Sequence, residues 1–349
     1  VLLLEPAPLE PVLSAIVVVV DRARLVEKCL ASFVSQTEPR FEAVVVLNGA
    51  SPEVVQTVRG HSERDPRIRP VAIAPTTASE ARNSGLRVAR GALLYFLDDD
   101  VEVPRDGFAA AVRFFAEHPD VAIAGGPNLT PPDDPEFAQL SGELLASAFG
   151  TGITHHRYTK GREGSASERN LTLCNLVVAR RLFDGGARFP RPFGGEENVL
   201  MGRASHLGHR LWYSPTLWVH HRRRSSPAEH LVQVSRYGFG RGVAMNTGPR
   251  TIHLAFFAPL ALLGYTASSP VLFLAGGSWA LSPLALYFAL AALSSVRIAT
   301  RRGRPSWIAG LTVLFFLTHL AYGVGLVRGL VRGLEYRRKG RAASALDIP

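Results

Sequence analysis

The stretch ALLYFLDDDVEVP, residues 92–104, runs from six apolar residues straight into three consecutive aspartates. An uninterrupted apolar run of that length is the signature of a strand buried on both faces. The carboxylates then emerge together at its carboxyl end, where their mutual repulsion calls for a cation or a basic partner. Similar runs lie upstream: SAIVVVV (14–20), FEAVVVLN (41–48) and IRPVAIA (68–74). Between them lie DRARLVEKCLASFVSQ, the capped start SPEVVQTVRG, and ASEARNSGLRVARG, all with helical character. Alternating strands and helices imply an α/β domain with a mostly parallel sheet and helices on both faces. Ligands of such sheets bind beyond the carboxyl ends of the strands, where the aspartates fall.

The chain of 349 residues carries a net charge of +10 and is 47% hydrophobic. Residues 297–349 hold ten Lys/Arg against two acids, a net of +8, which leaves +2 on the first 296. Basic residues beside apolar runs suit an anionic membrane surface and argue against nucleic acid. Ile252 to Val296 is 45 residues without Asp, Glu, Lys or Arg, and Ser306 to Val327 is a second uncharged run. Their lengths allow two spans and one span respectively. Basic clusters lie both between the runs (Arg297 to Arg304) and after them (from Arg328). Three full spans would put one cluster outside, against the positive-inside rule, and a re-entrant or interfacial placement of one segment would remove the conflict. VLLLEPAPLEP at the start lacks a basic n-region, so the residues before the apolar runs are expected in the cytoplasm. Cys29 and Cys174 are too few for a disulfide framework or a zinc site and read as small core residues.

Asp98 and Asp100 form a D-x-D pair, and hard divalent cations take one or two carboxylates together with substrate phosphates. With SAIVVVVDRARLVEKCLASFVSQ, FEAVVVLNGAS, ASEARNSGLRVARGALLYFLDDDVEVP and FGGEENVLMGRASHLGHRLWYSP in this order, the chain resembles a family-2 glycosyltransferase. HHRRRSSPAEHLVQVSRYGFGRG and THLAYGVGL resemble the membrane-bound branch that builds exopolysaccharides of the succinoglycan type. The resemblance implies a GT-A nucleotide-diphospho-sugar transferase fold, with an inverting transfer that needs Mg²⁺ or Mn²⁺. It divides the chain into an N-terminal lead (1–13), the GT-A domain (14–225), a basic juxtamembrane segment (226–251), a transmembrane region of two to three spans (252–327) and a basic tail (328–349).

By the same resemblance Asp98 faces the ribose of a nucleotide-diphosphate sugar and Asp100 ligates the metal, with Asp98 and His221 as further ligands. Asp21, Asn48, Arg82 and Asp99 join the donor site. Glu197, or its neighbour Glu196, is the base that takes the acceptor proton. Asn175, Arg236, Tyr237 and Arg241 fall on the acceptor side, with a lipid-linked acceptor at the membrane surface. Arg222, Arg223 and Arg224 read either as a headgroup cluster or as a phosphate clamp, with two of the three assigned to headgroups. Leu47 stands where the family often has an aspartate that reads the nucleobase, which leaves the base open. Two other readings fit the pattern: a polyprenyl-phosphate glycosyl donor synthase, and a non-catalytic membrane scaffold.

Overall fold

The computed structural model describes residues 10–190, 195–248 and 252–338. Its strands are β1 (Leu13–Val19), β2 (Phe41–Asn48), β3 (Ile68–Ile73), β4 (Leu93–Leu97), β5 (Val101–Glu102), β6 (Val121–Gly125), β7 (Asn128–Leu129), β8 (Gly164–Ser165), β9 (Asn175–Ala179), β10 (Arg210–Tyr213) and β11 (Val219–His221). The helices are α1 (Ala23–Val34), α2 (Pro52–Arg64), α3 (Ala78–Val88), α4 (Gly107–Glu117), α5 (Glu136–Ala146), α6 (Ala148–Thr151), α7 (Arg181–Asp184), α8 (Glu196–His206), α9 (Pro227–Thr247), α10 (Ala258–Gly276), α11 (Ser282–Arg302) and α12 (Trp307–Arg338).

The four expected strands form one parallel block, and the large sheet runs β3-β2-β1-β4-β9-β6-β10-β8. β9 enters antiparallel between β4 and β6. One face packs Val26, Leu30 and Phe33 of α1 and Phe108 of α4 against the sheet. The other face takes Ala81 and Leu86 of α3, with Phe183 and Phe189. Burial on both faces is why the strands read as continuous apolar runs rather than alternating ones. A second sheet, β5-β11-β7, stands at the carboxyl ends of the main strands.

The basic segment after residue 226 is the 21-residue helix α9, N-capped by the Ser226 side chain. Residues 328–338, expected as a tail, continue α12 as helix. Three stretches, Leu254–Gly276, Ser278–Arg302 and Trp307–Arg338, are long and apolar enough to cross a membrane. The polar segment 152–170 carries a 3₁₀ turn (Gly152–Arg157) and β8, and it is fastened by the Tyr213 hydroxyl, which accepts from Gly161 N and donates to Thr159 O.

Candidate functional site

The triplet begins one residue beyond β4. The β5–β11 pairing then decides what faces it, because Val101 lies opposite His221. That register brings His221 Nε2 to 3.0 Å from Asp100 Oδ1. Asp100 Oδ1 is buried, and with the imidazole protonated the two groups form an ion pair. A buried carboxylate oxygen and an imidazole nitrogen this close are also donors that one cation can share. Cys174, at the start of β9, completes the cluster. Ligand atoms of Asp98, Cys174 and His221 lie within 4.8 Å of one another. The carboxylates of Asp98 and Asp100 with the His221 imidazole fit the Mg²⁺ or Mn²⁺ the sequence calls for, whereas the Cys174 thiol is a softer donor than either ion prefers.

Arg22, just after β1, is the partner that sequence reasoning missed. Its Nη1 lies 2.5 Å from Asp100 Oδ2, and its Nη2 and Nε both reach Asp99. Asp99, left without a particular role by the sequence, is therefore the carboxylate that fixes Arg22. Burial pushes the Asp99 carboxyl up to about 6 against the opposing charge of Arg22, with Asp100 and Asp98 adding to the rise. Asp100 moves the other way: burial would raise it, but His221, Arg22 and Arg224 together hold it well below the usual carboxylate range. Burial works to lower His221, and Cys174 and Asp100 outweigh it, holding the imidazole at about 10.

Arg82 and Asn83 explain the ARN triplet of α3. Arg82 donates to Glu196 Oε1 at 2.9 Å and to Asp98 Oδ1 at 3.3 Å, joining the aspartate cluster to the acidic pair at the start of α8. Asn83 closes a double bond with the Phe189 backbone, donating to its oxygen at 2.9 Å and accepting from its nitrogen at 3.0 Å. Asn83 thus fixes Phe189, and Arg82 holds Glu196. Gly195, just before Glu196, sits at φ +87° and would press a Cβ to 2.6 Å from Gly240 O of α9, so only glycine serves. Glu197 carries a carboxyl raised by burial and by Glu196 beside it. Asn198 orients it, donating from Nδ2 to Glu197 Oε1 at 3.0 Å while its Oδ1 accepts from Arg241 Nη2 at 3.0 Å.

A cavity of about 710 Å³ joins these parts. Asp98, Glu196, Glu197 and His221 line it, together with Leu262, Tyr287 and Tyr322 of the apolar helices. Arg236, Tyr237 and Arg241 also line it. Arg241 is 3% exposed, bonded to Glu168 Oε1 at 3.2 Å and stacked 4.2 Å over the Phe256 ring.

Two expectations are corrected. Asn175 is fully buried, with Oδ1 accepting from Tyr95 and Nδ2 donating to Gly126 O and Leu217 O, so it braces the sheet and cannot reach an acceptor. Asn48 spends its amide on both backbone groups of Thr76, which shapes the loop after β3 rather than a donor contact. Asp21 is exposed past the end of β1. The arginine cluster also differs from its reading. Arg222 is bound by Glu102, Asp133 and Asp134, and Arg223 by Asn128 and Thr130, so neither meets headgroups. Arg224 stands 3.6 Å from Asp100 Oδ2.

With this geometry in view, the chain can be set beside known proteins. The profile described as Glycosyl transferase family 2 matches residues 14–174. That match covers under half of the 349 residues, and the fold around it is of the GT-A type. The chain is 32% identical over 90 residues to the uncharacterized glycosyltransferase EpsJ of Bacillus subtilis, an alignment covering 26% of each chain. It is 33% identical over 210 residues to the glycosyltransferase AglE of Haloferax volcanii, covering 58% of this chain and 64% of that one. It therefore spans about a quarter of the one relative and under two thirds of the other. In fold it is similar to the mannosyltransferase PcManGT of Pyrobaculum calidifontis, solved with GDP-Man and Mn²⁺, at a TM-score of 0.58 and 20% identity over 93% of this chain and 89% of that one.

Proposed function

We propose that the chain is a membrane-anchored, metal-dependent inverting glycosyltransferase that moves a sugar from a nucleotide-diphosphate donor to a lipid-linked acceptor. The observation that carries this reading is one cavity lined both by Asp98, Glu196 and Glu197 and by Tyr287, Tyr322 and Leu262 of the apolar helices. A lipid carrier entering between the helices would bring its head to the carboxylates.

In the transfer, the acceptor hydroxyl attacks the anomeric carbon, the bond from that carbon to the diphosphate breaks, and the nucleoside diphosphate leaves with the electron pair. Glu197 takes the hydroxyl proton, and burial beside Glu196, which raises its pKa, makes it a stronger base than an ordinary glutamate. Asn198 holds its oxygen in place, and Arg82 keeps Glu196 and Asp98 paired so that Glu197 is the free carboxylate. Asp98, Asp100 and His221, with Cys174 in reach, would hold the divalent cation, which when bound supplies positive charge to the departing diphosphate. The catalytic portion runs over 14–225, and α9 to α12 form the acceptor entrance. On this reading the domain lies on the cytoplasmic face, where nucleotide sugars are made.

The test is incubation of membranes carrying the chain with radiolabelled nucleotide sugars and Mn²⁺, followed by organic extraction. Label in the lipid fraction, lost in Glu197→Gln, is the expected result. Transfer to bare polyprenyl phosphate instead of a lipid-linked glycan would make the chain a glycosyl donor synthase. No transfer, with Asp100→Ala and Glu197→Gln leaving the cell's glycans unchanged, would favour a scaffold.

A further inference from the structure

Hydropathy counts α12 as a third span, but the helix keeps both of its ends on the catalytic domain. At its start, Trp307 Nε1 donates to Glu136 Oε1 of α5 at 2.9 Å, and Arg302 of the preceding turn pairs with Glu143. Leu311, Leu314 and Phe315 continue this contact against Leu144 and Leu145. Towards its end, α12 lies on α9 with glycine every fourth residue. A Cβ on Gly325 would stand within 1.9 Å of Ser235 O, one on Gly329 within 2.1 Å of Phe239 O, and one on Gly333 within 2.9 Å of Asn246 Cβ. The partners rise together along both chains, so the two helices run parallel at backbone contact. α9 in turn rests on the domain, through Gly240 on Gly195, Ala244 on Val199 and Arg241 on Glu168.

Trp307 and Gly329 are separated by about 33 Å of helix at 1.5 Å per residue, about the thickness of a bilayer's hydrocarbon core. A helix that crossed would carry one of those ends away from the domain by that distance. Both ends stay. The outward face of α12 repeats Val313, Leu317, Val324, Val327, Val331 and Leu334, between 38% and 55% exposed, at spacings of three, four and seven residues. That is one continuous apolar stripe flanked by exposed Arg328 and Arg332.

We propose that α12 lies in the plane of the membrane, its stripe seated in an anionic leaflet on the domain's own side, and that only α10 and α11 enter the bilayer, leaving by the face they came in. The occupant of the stripe is lipid because α10 beside it buries none of its most apolar window and exposes Val271 and Leu274, with Trp279 exposed in the turn that follows. The arrangement also puts Arg297, Arg301, Arg302 and Arg304 on the same side as Arg328, Arg332, Arg337 and Arg338, which satisfies the positive-inside rule without an exception.

This inference rests on the membrane reading above, and the experiment separates the two. Single cysteines are placed at Arg304, Arg337 and Ser278, with Glu63→Cys on the exposed side of α2 as the domain reporter. Inside-out and right-side-out vesicles are treated with an impermeant maleimide, the parent with its two buried cysteines serving as the blank. The expected result is that Arg304→Cys and Arg337→Cys label in the same vesicles as Glu63→Cys, that labelling of all three is lost in the opposite vesicles, and that Ser278→Cys stays unlabelled where they react. Labelling of Arg304→Cys and Arg337→Cys from opposite sides would overturn the in-plane helix while leaving the membrane anchor intact. Complete release of the chain by alkaline carbonate would overturn the anchor, and the in-plane helix with it.

Discussion

Arg22 Nη1 lies 2.5 Å from Asp100 Oδ2, so a side chain just past the first strand closes on the acidic triplet 78 residues later. Its guanidinium occupies the charge balance that a divalent cation would otherwise supply. Two unit positive charges about 6 Å apart at an effective dielectric of about 20 repel by about 3 kcal/mol. The Arg22 side chain is 33% exposed, and solvent screening removes about half of that. Arg22→Gln is therefore expected to bind Mn²⁺ about tenfold more tightly, a gain of about 1.4 kcal/mol. Without metal the same variant melts lower, since Asp99 and Asp100 lose their shared partner. Calorimetric titration with Mn²⁺ in the absence of nucleotide reads the first effect; equal or weaker binding would show that Arg22 does not oppose the ion.

The acidic pair at the head of α8 predicts a pH profile. Burial and the adjacent Glu196 raise the Glu197 carboxyl, so its proton is released at higher pH than from an ordinary glutamate. A base works only when deprotonated. The rate of transfer should accordingly climb with pH through an inflection above the usual carboxylate range and flatten once Glu197 is ionised. Glu197→Gln is expected to lower kcat by about 10²–10⁴-fold with the donor KM nearly unchanged. An acid limb that stays in place in Asn198→Ala would argue that Asn198, bonded to Glu197 Oε1, does not tune it.

Much of this was legible because the physics behind it is local. β1, β2 and β4 are near-continuous apolar runs, as strands buried on both faces must be, and the aspartates follow β4 directly. Arg82 and the Glu196–Glu197 pair also came from motifs. Arg22 did not, since nothing in a lone arginine between Asp21 and Ala23 reveals a contact 77 residues away. Cys174 read as a core residue for a sound reason, being 5% exposed, and only the fold shows that it borders the ligand cluster. Hydropathy found α12 but not its posture, because composition records how apolar a helix is and not which way it lies. The glycine repeat at 325, 329 and 333 was the available sign, a small-residue seam that marks close helix contact.

Asn83 tests whether the ARN triplet acts through the acidic pair. Its amide is buried and makes both bonds with Phe189. Asn83→Ala leaves a buried carbonyl and a buried N–H unpaired, a loss of about 1–3 kcal/mol. Chemical denaturation should show that loss. Because the neighbouring Arg82 is bonded to Glu196, disturbing α3 here should lower kcat while the affinity for Mn²⁺, measured separately, holds. Weakened Mn²⁺ binding instead would place Asn83's influence on the aspartate cluster.

The α9–α12 seam makes the last prediction, and the chain contains its own control. Gly329 would meet Phe239 O at 2.1 Å if given a Cβ, whereas Gly264 on α10 has nothing within 4 Å of that position. Neither site is left-handed, so a branched side chain costs little in backbone strain at either. Valine at 264 should leave stability within about 0.5 kcal/mol of the parent. Valine at 329 cannot be seated unless α12 lifts from α9, which also moves Leu326 and Leu330 away from Met245 and Phe256. Gly329→Val is therefore expected to lower the melting temperature in detergent and to raise the KM for the lipid acceptor several-fold, because Tyr322 on the same helix lines the cavity that α9 borders. Donor binding, which depends on the aspartate cluster, should be unaffected. Equal behaviour of the two valine variants would mean that the glycine seam does not hold the acceptor entrance together.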